Sequence, residues 1–501
     1  MRPGVSPQQM LTAFAAVPAS LVLGMGLLVV ANWVASRAEN VLIFVGVLGL
    51  LGLLGLVLVK PTIPVFLIFI FLSSPFQFLI RLGESAVLTA VMMACGALGV
   101  AAVVLKGRTS PNPLMGRMAA LAVVGIWGAL YGHFGGNERV YVWGDFFQVI
   151  EFVGLFLLTF YLISDDRSLR RLLYVIVIST SLTVVWQFYL FLRGEAAAES
   201  FFYYGGAGVG DLLPRTINFG ALSIFPLLLA AVIYLHSSRR RAFLWGALLL
   251  VTANLLLSFT RGIWIGAFVA VVAAAWMMDS AARKRLLRIG LLMGIVIILA
   301  GSTLRVGAGG ERWRLMELLE ARYRYSFQEV ESWQTGYRGG VRRLAEVTDV
   351  ATELGEFPLF GKGMGATYPL EGLTPFGIRI TRQEHYIHNL YLAVALRMGL
   401  IGLGLFLWIL FVYVRHAYKL ANSLPPGFHK AVVVGSAASV VGYMVVSMTS
   451  PTLLNHPTCA YAACAMALTL RAGMFARADD SRLGAASDRP PNGSPRSGGS
   501  R

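Results

Sequence analysis

Three side chains in the sequence are of the types that handle phosphate groups. Arg261 lies in the string SFTRGIW, Arg215 in LPRTINF and His388 in HNLYL. Arginine keeps its charge and its planar fork of donors binds phosphate oxygens in pairs, whereas histidine exchanges protons near neutral pH. If these three side chains lay together at one membrane surface, they could form a site for transfer from a lipid-borne pyrophosphate. The arginines would neutralise the pyrophosphate leaving group, and the histidine would activate an acceptor hydroxyl. Each arginine considered alone could equally contact anionic lipid headgroups, and the histidine alone could equally be a polar cap at the start of a helix.

Further candidate residues lie in and around a glycine-rich string, PLFGKGMG at 358–365. Its three alternate glycines free the backbone to turn tightly or to present amides to an anion, although a flexible connector after a helix fits the same string. The candidate substrate-binding residues are Arg338, Arg342, Lys362, Gly363 and Asn389. For the basic ones, a solvated helix face is an equally good explanation.

The elements that must position these residues are membrane helices. Of the 501 residues, 57% are hydrophobic and 13% are charged, and the mean hydropathy is +0.69; this is too apolar for a soluble globular protein. Apolar runs of roughly twenty residues recur, each long enough to span a bilayer as a helix. Fourteen candidate spans begin near Leu11, Val41, Thr62, Ala86, Met118, Trp143, Leu172, Phe219, Ala242, Gly262, Ile289, His388, Ala431 and Thr452. The sequence predicts an all-α, polytopic transmembrane bundle of about 12–14 spans.

The net charge of +17 has a topological explanation. With the N-terminus inside, the segments predicted to be cytoplasmic hold 24 Lys and Arg residues and the short outside loops hold six, as the positive-inside rule requires. The excess therefore reflects membrane orientation, and no nucleic-acid partner is expected. Arg215, Arg261 and His388 all fall on the outside face. The three cysteines lie in apolar stretches without metal-ligand spacing, so neither a metal site nor a disulfide framework is expected.

The predicted organisation has four parts. Residues 1–304 hold the first eleven spans, and residues 388–477 hold the last three. Between them, 305–387 form an outside loop that is long for a connector. Its strings ERWRLMELLEARYRYSF and RRLAEVTDVATEL have helical spacing, so two or three short helices are expected over the outer mouth of the bundle. Residues 478–501 are rich in Pro, Gly and Ser and are expected to form a disordered cytoplasmic tail.

Three of these strings together resemble one protein family. SFTRGIW, PLFGKGMG and HNLYLAVALRMGLIGLGLF, with the large loop between the first and the last, are similar to the O-antigen ligase and polymerase superfamily of bacterial membrane glycosyltransferases, over roughly 213–406. The resemblance implies a bacterial inner-membrane enzyme whose active site faces the periplasm. It implies a glycan donor on undecaprenyl pyrophosphate and an acceptor that is lipid A core or a growing glycan, in lipopolysaccharide or exopolysaccharide biosynthesis. It also implies that no cofactor or metal is required, that Arg261 and Arg215 bind the pyrophosphate, and that His388 assists the acceptor hydroxyl.

Arg397 departs from the expected pattern, in which a neutral or acidic residue precedes the GLIG step. It lies nine residues into the helix after His388, or about 13.5 Å along it. An arginine at that depth needs a partner or a hydrated cavity. Asp145 and Glu151 in the sixth span are the nearest candidates by residue type.

Two alternatives to a ligase remain open. A polymerase of the same superfamily, which extends lipid-linked repeat units, needs the same pyrophosphate clamp, so the motifs do not separate the two. A transporter of lipid-linked sugars belongs to a different class and would explain the many spans and the charges within them. Against transport, the halves of the chain show no internal repeat and the polar residues concentrate on one face.

Overall fold

The structure, a computed structural model, describes residues 112–192, 219–235, 238–258, 260–303, 305–308, 311–314, 320, 340–373, 379–451 and 456–487. Within these ranges the helices are α1 (Met115–Phe134), α2 (Arg139–Leu162), α3 (Asp166–Leu192), α4 (Phe219–Tyr234), α5 (Ser238–Leu257), α6 (Arg261–Met277), α7 (Ser280–Thr303), α8 (Gly340–Glu356), α9 (Leu390–Ser423), α10 (Phe428–Val446) and α11 (His456–Ser487). Two antiparallel hairpins complete it: β1 (Arg305–Ala308) with β2 (Glu311–Arg314), and β3 (Tyr368–Leu373) with β4 (Arg379–Glu384).

The helices confirm the all-α, polytopic prediction. Every helix except α8 holds one of the ten spans predicted from Met118 onward, and the four earlier predicted spans lie outside the described residues. Helices α1, α2, α3, α9, α10 and α11 are long and apolar enough to cross a membrane by length and composition, and α4, α5 and α6 are shorter apolar helices. Large apolar side chains remain exposed along them, Phe268 at 68% and Phe411 at 64% among them, as expected where helices face lipid.

Helix α10 lies at the centre of the bundle, packed against α4, α6 and α11. Glycines allow this packing: a Cβ on Gly435 would lie 2.4 Å from the Cα of Leu227 in α4, and a Cβ on Gly442 would lie 2.9 Å from the carbonyl oxygen of Gly266 in α6. Lipid tails are as apolar as the helices, so close backbone approach and interhelical hydrogen bonds hold such bundles together. The position of α10 therefore depends on small side chains.

The contact between Gly435 and Leu227 gives a stability prediction. Gly435→Ala is expected to lower the stability of the folded bundle by about 1–3 kcal/mol, because the added methyl meets backbone that cannot rotate away. Gly404→Ala in α9 is the matched control, since a Cβ there has no heavy atom within 4 Å. Thermal unfolding of the purified variants in detergent measures the difference. Equal midpoints for the two variants would contradict the packing described for α4 and α10.

Contacts among residues in and beside the segments between helices show which of these segments lie at the same end of the bundle. At one end, the side-chain amide of Asn137, between α1 and α2, donates to the carbonyls of Lys362 (3.1 Å) and Met364 (2.9 Å) in the large loop. At the opposite end, His429 Nε2 lies 2.9 Å from Asp166 Oδ1, and Lys430 Nζ lies 3.6 Å from Asp279 Oδ2. This grouping agrees with the predicted alternation of outside and cytoplasmic connections. The first end is called the loop end below.

The large loop and the tail differ from the prediction. RRLAEVTDVATEL is helical, within α8, but the first string begins as a strand: Glu311–Arg314 pairs with Arg305–Ala308. A second hairpin, β3 with β4, was not predicted. Helical spacing in this string was misleading because the four residues ERWR carry too little periodicity to distinguish a helix from a strand. Helix α11 continues to Ser487, so the tail boundary predicted at 478 is too early; no proline interrupts the helix before Pro490.

Candidate active site at the loop end

His388 is held by a buried carboxylate. Its ring Nδ1 lies 2.6 Å from Glu346 Oε2, and its backbone amide donates to Glu346 Oε1 at 2.7 Å. The side chain of Glu346 is 2% exposed and that of His388 is 18% exposed. Because a carboxylate accepts, Nδ1 carries the hydrogen, and Nε2 is the nitrogen able to accept a proton. A carboxylate that orients an imidazole in this way and stabilises its protonated form is the arrangement of a general base.

Helix α8 brings Glu346 to the histidine. Val350, one turn after Glu346 on the same face, is fully buried in a small apolar cluster with Tyr368 of β3, Ile387 and Leu396 of α9. Residues four apart lie on one face of a helix, so the contacts that anchor Val350 also direct the carboxylate towards His388. Glu346 was not predicted from the sequence. The one feature that could have indicated it is its position as an acidic residue on the apolar face of an amphipathic helix.

Asn389 begins the helix that follows the histidine. Its side-chain oxygen accepts hydrogen bonds from the amides of Tyr391 (2.9 Å) and Leu392 (3.2 Å), which satisfies donors that the first turn of a helix leaves unpaired. The amide of Leu390 donates to the carbonyl of Ser447 at 2.9 Å. Asn389 therefore has a structural role that is sufficient to explain it, and its predicted contact with substrate stays a prediction.

Arg261 lies at the same end of the bundle as His388. It is the first residue of α6, after an extended Thr260. A Cβ on the next residue, Gly262, would lie 2.6 Å from Thr449 Oγ1, in the turn at 447–450 whose Ser447 carbonyl binds the start of α9. The first turns of α6 and α9 thus both lie against the turn at 447–450. Of the catalytic candidates, the structure brings Arg261 and His388 to a common region.

The other basic candidates are placed only in part. Arg215 and Arg338 lie outside the described residues, and of Arg342 only the backbone is described, in α8. The Lys362 ammonium pairs with Glu353 of α8. Within the described ranges, no group of three or more His, Cys, Asp or Glu side chains is placed to hold a metal ion.

The glycine-rich string turns tightly between helices. The amide of Lys362 donates to the Leu396 carbonyl at 2.7 Å, and that of Met364 donates to the Gly128 carbonyl at 2.9 Å. Gly363 has φ +85°, and a Cβ there would lie 2.4 Å from the Gly132 amide nitrogen. These amides are used within the protein. The string therefore forms the tight turn that was one of its predicted interpretations, and the predicted substrate contacts of Lys362 and Gly363 stay predictions.

Arg397 has the acidic partner that its position required. Its Nε lies 2.9 Å from Asp145 Oδ2, and the two side chains are 7% and 5% exposed. Its Nη2 contacts His385 at Nε2 (3.1 Å) and at the carbonyl oxygen (3.2 Å), and the His385 ring stacks on Tyr141 at 4.2 Å. Of the two partners considered, Asp145 is confirmed; Glu151 is buried further along α2.

A break in α9 places Arg397 under the large loop. Gly399 has φ +68° and ψ −175° inside the helix, and the freed amides of Leu400 and Ile401 donate to the carbonyls of Pro358 (2.9 Å) and Leu359 (3.3 Å). The Gly365 amide donates to Asp145 Oδ2 at 2.8 Å. Loop backbone and the ion pair therefore hold one another in place, and Arg397 follows His388 by nine residues in sequence.

The buried ion pair gives a second stability prediction. Asp145→Leu or Arg397→Leu alone is expected to cost about 3–5 kcal/mol, because either leaves an uncompensated buried charge. The double variant D145L/R397L is expected to recover part of that loss, because it leaves no unpaired buried charge, although the Gly365 amide still loses its acceptor. Thermal unfolding in detergent measures all three. A double variant whose loss equals the sum of the single losses would rule out direct pairing.

Comparison with known families identifies the region that holds these residues. A family model described as O-antigen ligase matches residues 245–407, about a third of the chain. The matched region runs from α5 into α9 and includes Arg261, Glu346 and His388. No curated protein matches the chain. The match confirms the resemblance to the O-antigen ligase and polymerase superfamily, and with the apolar helices it supports a multi-pass membrane enzyme of surface polysaccharide synthesis.

Proposed function

We propose that this protein is a ligase of the O-antigen ligase and polymerase superfamily, which moves a glycan from undecaprenyl pyrophosphate to an acceptor hydroxyl at the periplasmic face of the bacterial inner membrane. The observation that carries the proposal is the pair of Glu346 with His388 at 2.6 Å, at the same end of the bundle as Arg261 and inside the matched region. A base and a permanent cation at one end are the two groups that this chemistry needs.

The donor pyrophosphate would bind to arginines. Arg261, at the start of α6, and Arg215, in the preceding predicted outside loop, supply fixed donors to its oxygens. These donors stabilise the charge that accumulates on the pyrophosphate as it leaves, and such electrostatic stabilisation is usually the largest single contribution to the rate. We propose that no metal ion is required, since the arginines supply the positive charge.

His388 would act on the acceptor. As the acceptor oxygen bonds to the anomeric carbon, its proton moves to Nε2 of His388, and Glu346 stabilises the imidazolium through Nδ1. The bond from the anomeric carbon to the pyrophosphate oxygen breaks, and its electron pair leaves with undecaprenyl pyrophosphate. Attack from the face opposite the leaving group inverts the anomeric configuration. The acceptor is lipid A core in this proposal.

Glycan analysis of a strain that lacks the gene distinguishes ligase from polymerase. Loss of a ligase leaves bare acceptor lipid while full-length glycan accumulates on undecaprenyl pyrophosphate, and this is the expected result. Single repeat units on the surface lipid would instead identify a polymerase. Complementation with the wild-type gene and with His388→Ala shows whether the phenotype depends on the candidate site.

A transfer assay in liposomes distinguishes the enzyme from a transporter of lipid-linked sugars. Purified protein in liposomes should join donor and acceptor that are both supplied on the accessible side, because no translocation is needed for transfer. If no product formed in this assay and the donor moved across the bilayer, the protein would be a transporter and not a glycosyltransferase.

A further inference from the structure

A basic groove lies at the end of the bundle opposite the candidate active site. It runs between the first turn of α1, at Arg117, and the last turns of α9, from Trp408 to Lys419, and has a volume of about 530 Å³. That volume is within the range of small-molecule binding pockets. The groove shares no residue with the site around His388, so the proposed function leaves it unexplained.

The α9 wall of the groove changes from apolar to cationic along the helix. Trp408 and Phe411 lie at one end and are 59% and 64% exposed, and Arg415, His416 and Lys419 lie at the other. Positions three and four apart share a helix face, and the eleven helical steps from Trp408 to Lys419 cover about 16 Å. An apolar part followed by a cationic part over that length matches the acyl chains and headgroup of a membrane lipid.

The charge in the groove is of one sign. Arg117, Arg415 and Lys419 line it and no lining residue is acidic. Two other cations at this end are paired: Arg170 Nε lies 2.7 Å from Asp166 Oδ2, and Lys430 pairs with Asp279. Among the described residues, no ion pair involves the three groove cations, and Arg117 donates only from Nη1 to its own Pro113 carbonyl at 2.8 Å. The groove therefore concentrates uncompensated positive charge.

We propose that the groove binds the phosphate headgroup of an anionic phospholipid from the leaflet at that end, with its acyl chains against Trp408 and Phe411. Basic pockets between transmembrane helices recognise such headgroups, and each nearby Lys or Arg strengthens binding to an anionic surface about fivefold. Free phosphate fits less well, because it would leave the two exposed aromatic side chains uncovered. The site is independent of the proposed transfer reaction.

The test is titration of the purified full chain in neutral detergent with phosphatidylglycerol, phosphatidylcholine and inorganic phosphate, followed by native mass spectrometry. Phosphatidylglycerol is expected to bind in preference to phosphatidylcholine, and R415Q/K419Q is expected to weaken its binding about 25-fold. The matched control is K284Q/R288Q, which removes two exposed cations of α7 at the same end of the bundle. Its binding should stay within twofold of wild type.

Other outcomes would overturn the proposal. These are equal binding of phosphatidylcholine, an equal loss in K284Q/R288Q, or displacement of the lipid by inorganic phosphate at equal concentration. Trp408→Ala should weaken the binding of phosphatidylglycerol without changing the binding of inorganic phosphate, and this difference distinguishes a lipid site from a phosphate site. Thermal unfolding without lipid checks each fold, and Arg117→Gln, on the other wall, replaces R415Q/K419Q if that variant does not fold. An Arg117→Gln variant that binds lipid as wild type does would then contradict the site.

Discussion

Alanine in place of His388 is expected to lower the rate of glycan transfer by about 10²–10⁴-fold, because the acceptor hydroxyl loses its general base. Glu346→Gln is also expected to lower it and to change its pH dependence, because glutamine offers one carbonyl oxygen to the two N–H donors of His388 and no charge to stabilise the imidazolium. The measurement is the initial rate of transfer by purified protein in liposomes with a lipid-linked donor, over a range of pH.

His429→Ala is the matched control for this prediction. His429 also contacts a carboxylate, with Nε2 2.9 Å from Asp166 Oδ1, but it lies at the opposite end of the bundle. Its transfer rate should stay within about twofold of wild type. If His429→Ala lost as much activity as His388→Ala, the effect of the latter would be one of folding and the base would have to be sought elsewhere.

Arg261→Ala is expected to reduce transfer by about 10²–10³-fold, the usual cost of removing one donor that stabilises a leaving anion. Arg261→Lys should recover part of the rate, because lysine keeps the charge without the planar fork. Because the loss is in stabilisation of the transition state, it should appear mainly in kcat. Steady-state kinetics with varied donor concentration separates kcat from KM.

Arg139→Ala provides the control for Arg261. Arg139 is likewise the first residue of a helix at the loop end, and it is exposed. A general need for positive charge at this surface would make both variants slow. Arg139→Ala is instead expected to transfer glycan at close to the wild-type rate, and equal losses in the two variants would contradict a specific role for Arg261.

The ten helices that hold predicted spans could be predicted because their determinants are local. A run of apolar residues long enough to cross a bilayer, with Lys and Arg at alternate ends, is visible without any knowledge of tertiary contacts. The partner of Arg397 could also be named, because a buried arginine restricts the choice to a few acids and Asp145 is one of two in the sixth predicted span. That inference was possible because an unpaired charge within a membrane span is energetically unfavourable, so a partner of opposite charge had to exist.

Glu346 and the two hairpins could not be predicted in the same way. Glu346 meets His388 across 42 positions of sequence, and that contact depends on how Val350 packs against Tyr368 and Ile387. The strand at Glu311–Arg314 exists through its pairing with Arg305–Ala308, and four residues carry too little periodicity to distinguish strand from helix. Long-range packing decides the contact of Glu346, and cross-strand pairing decides the strand at Glu311–Arg314.

A double-mutant cycle between Glu346 and His388 tests the central claim most directly. Transfer rates are measured in liposomes for wild type, Glu346→Gln, His388→Ala and the double variant. If Glu346 acts through His388, each single variant is slow and Glu346→Gln causes no further loss in the His388→Ala background. Wild-type rates for His388→Ala, or losses that multiply in the double variant, would contradict the account.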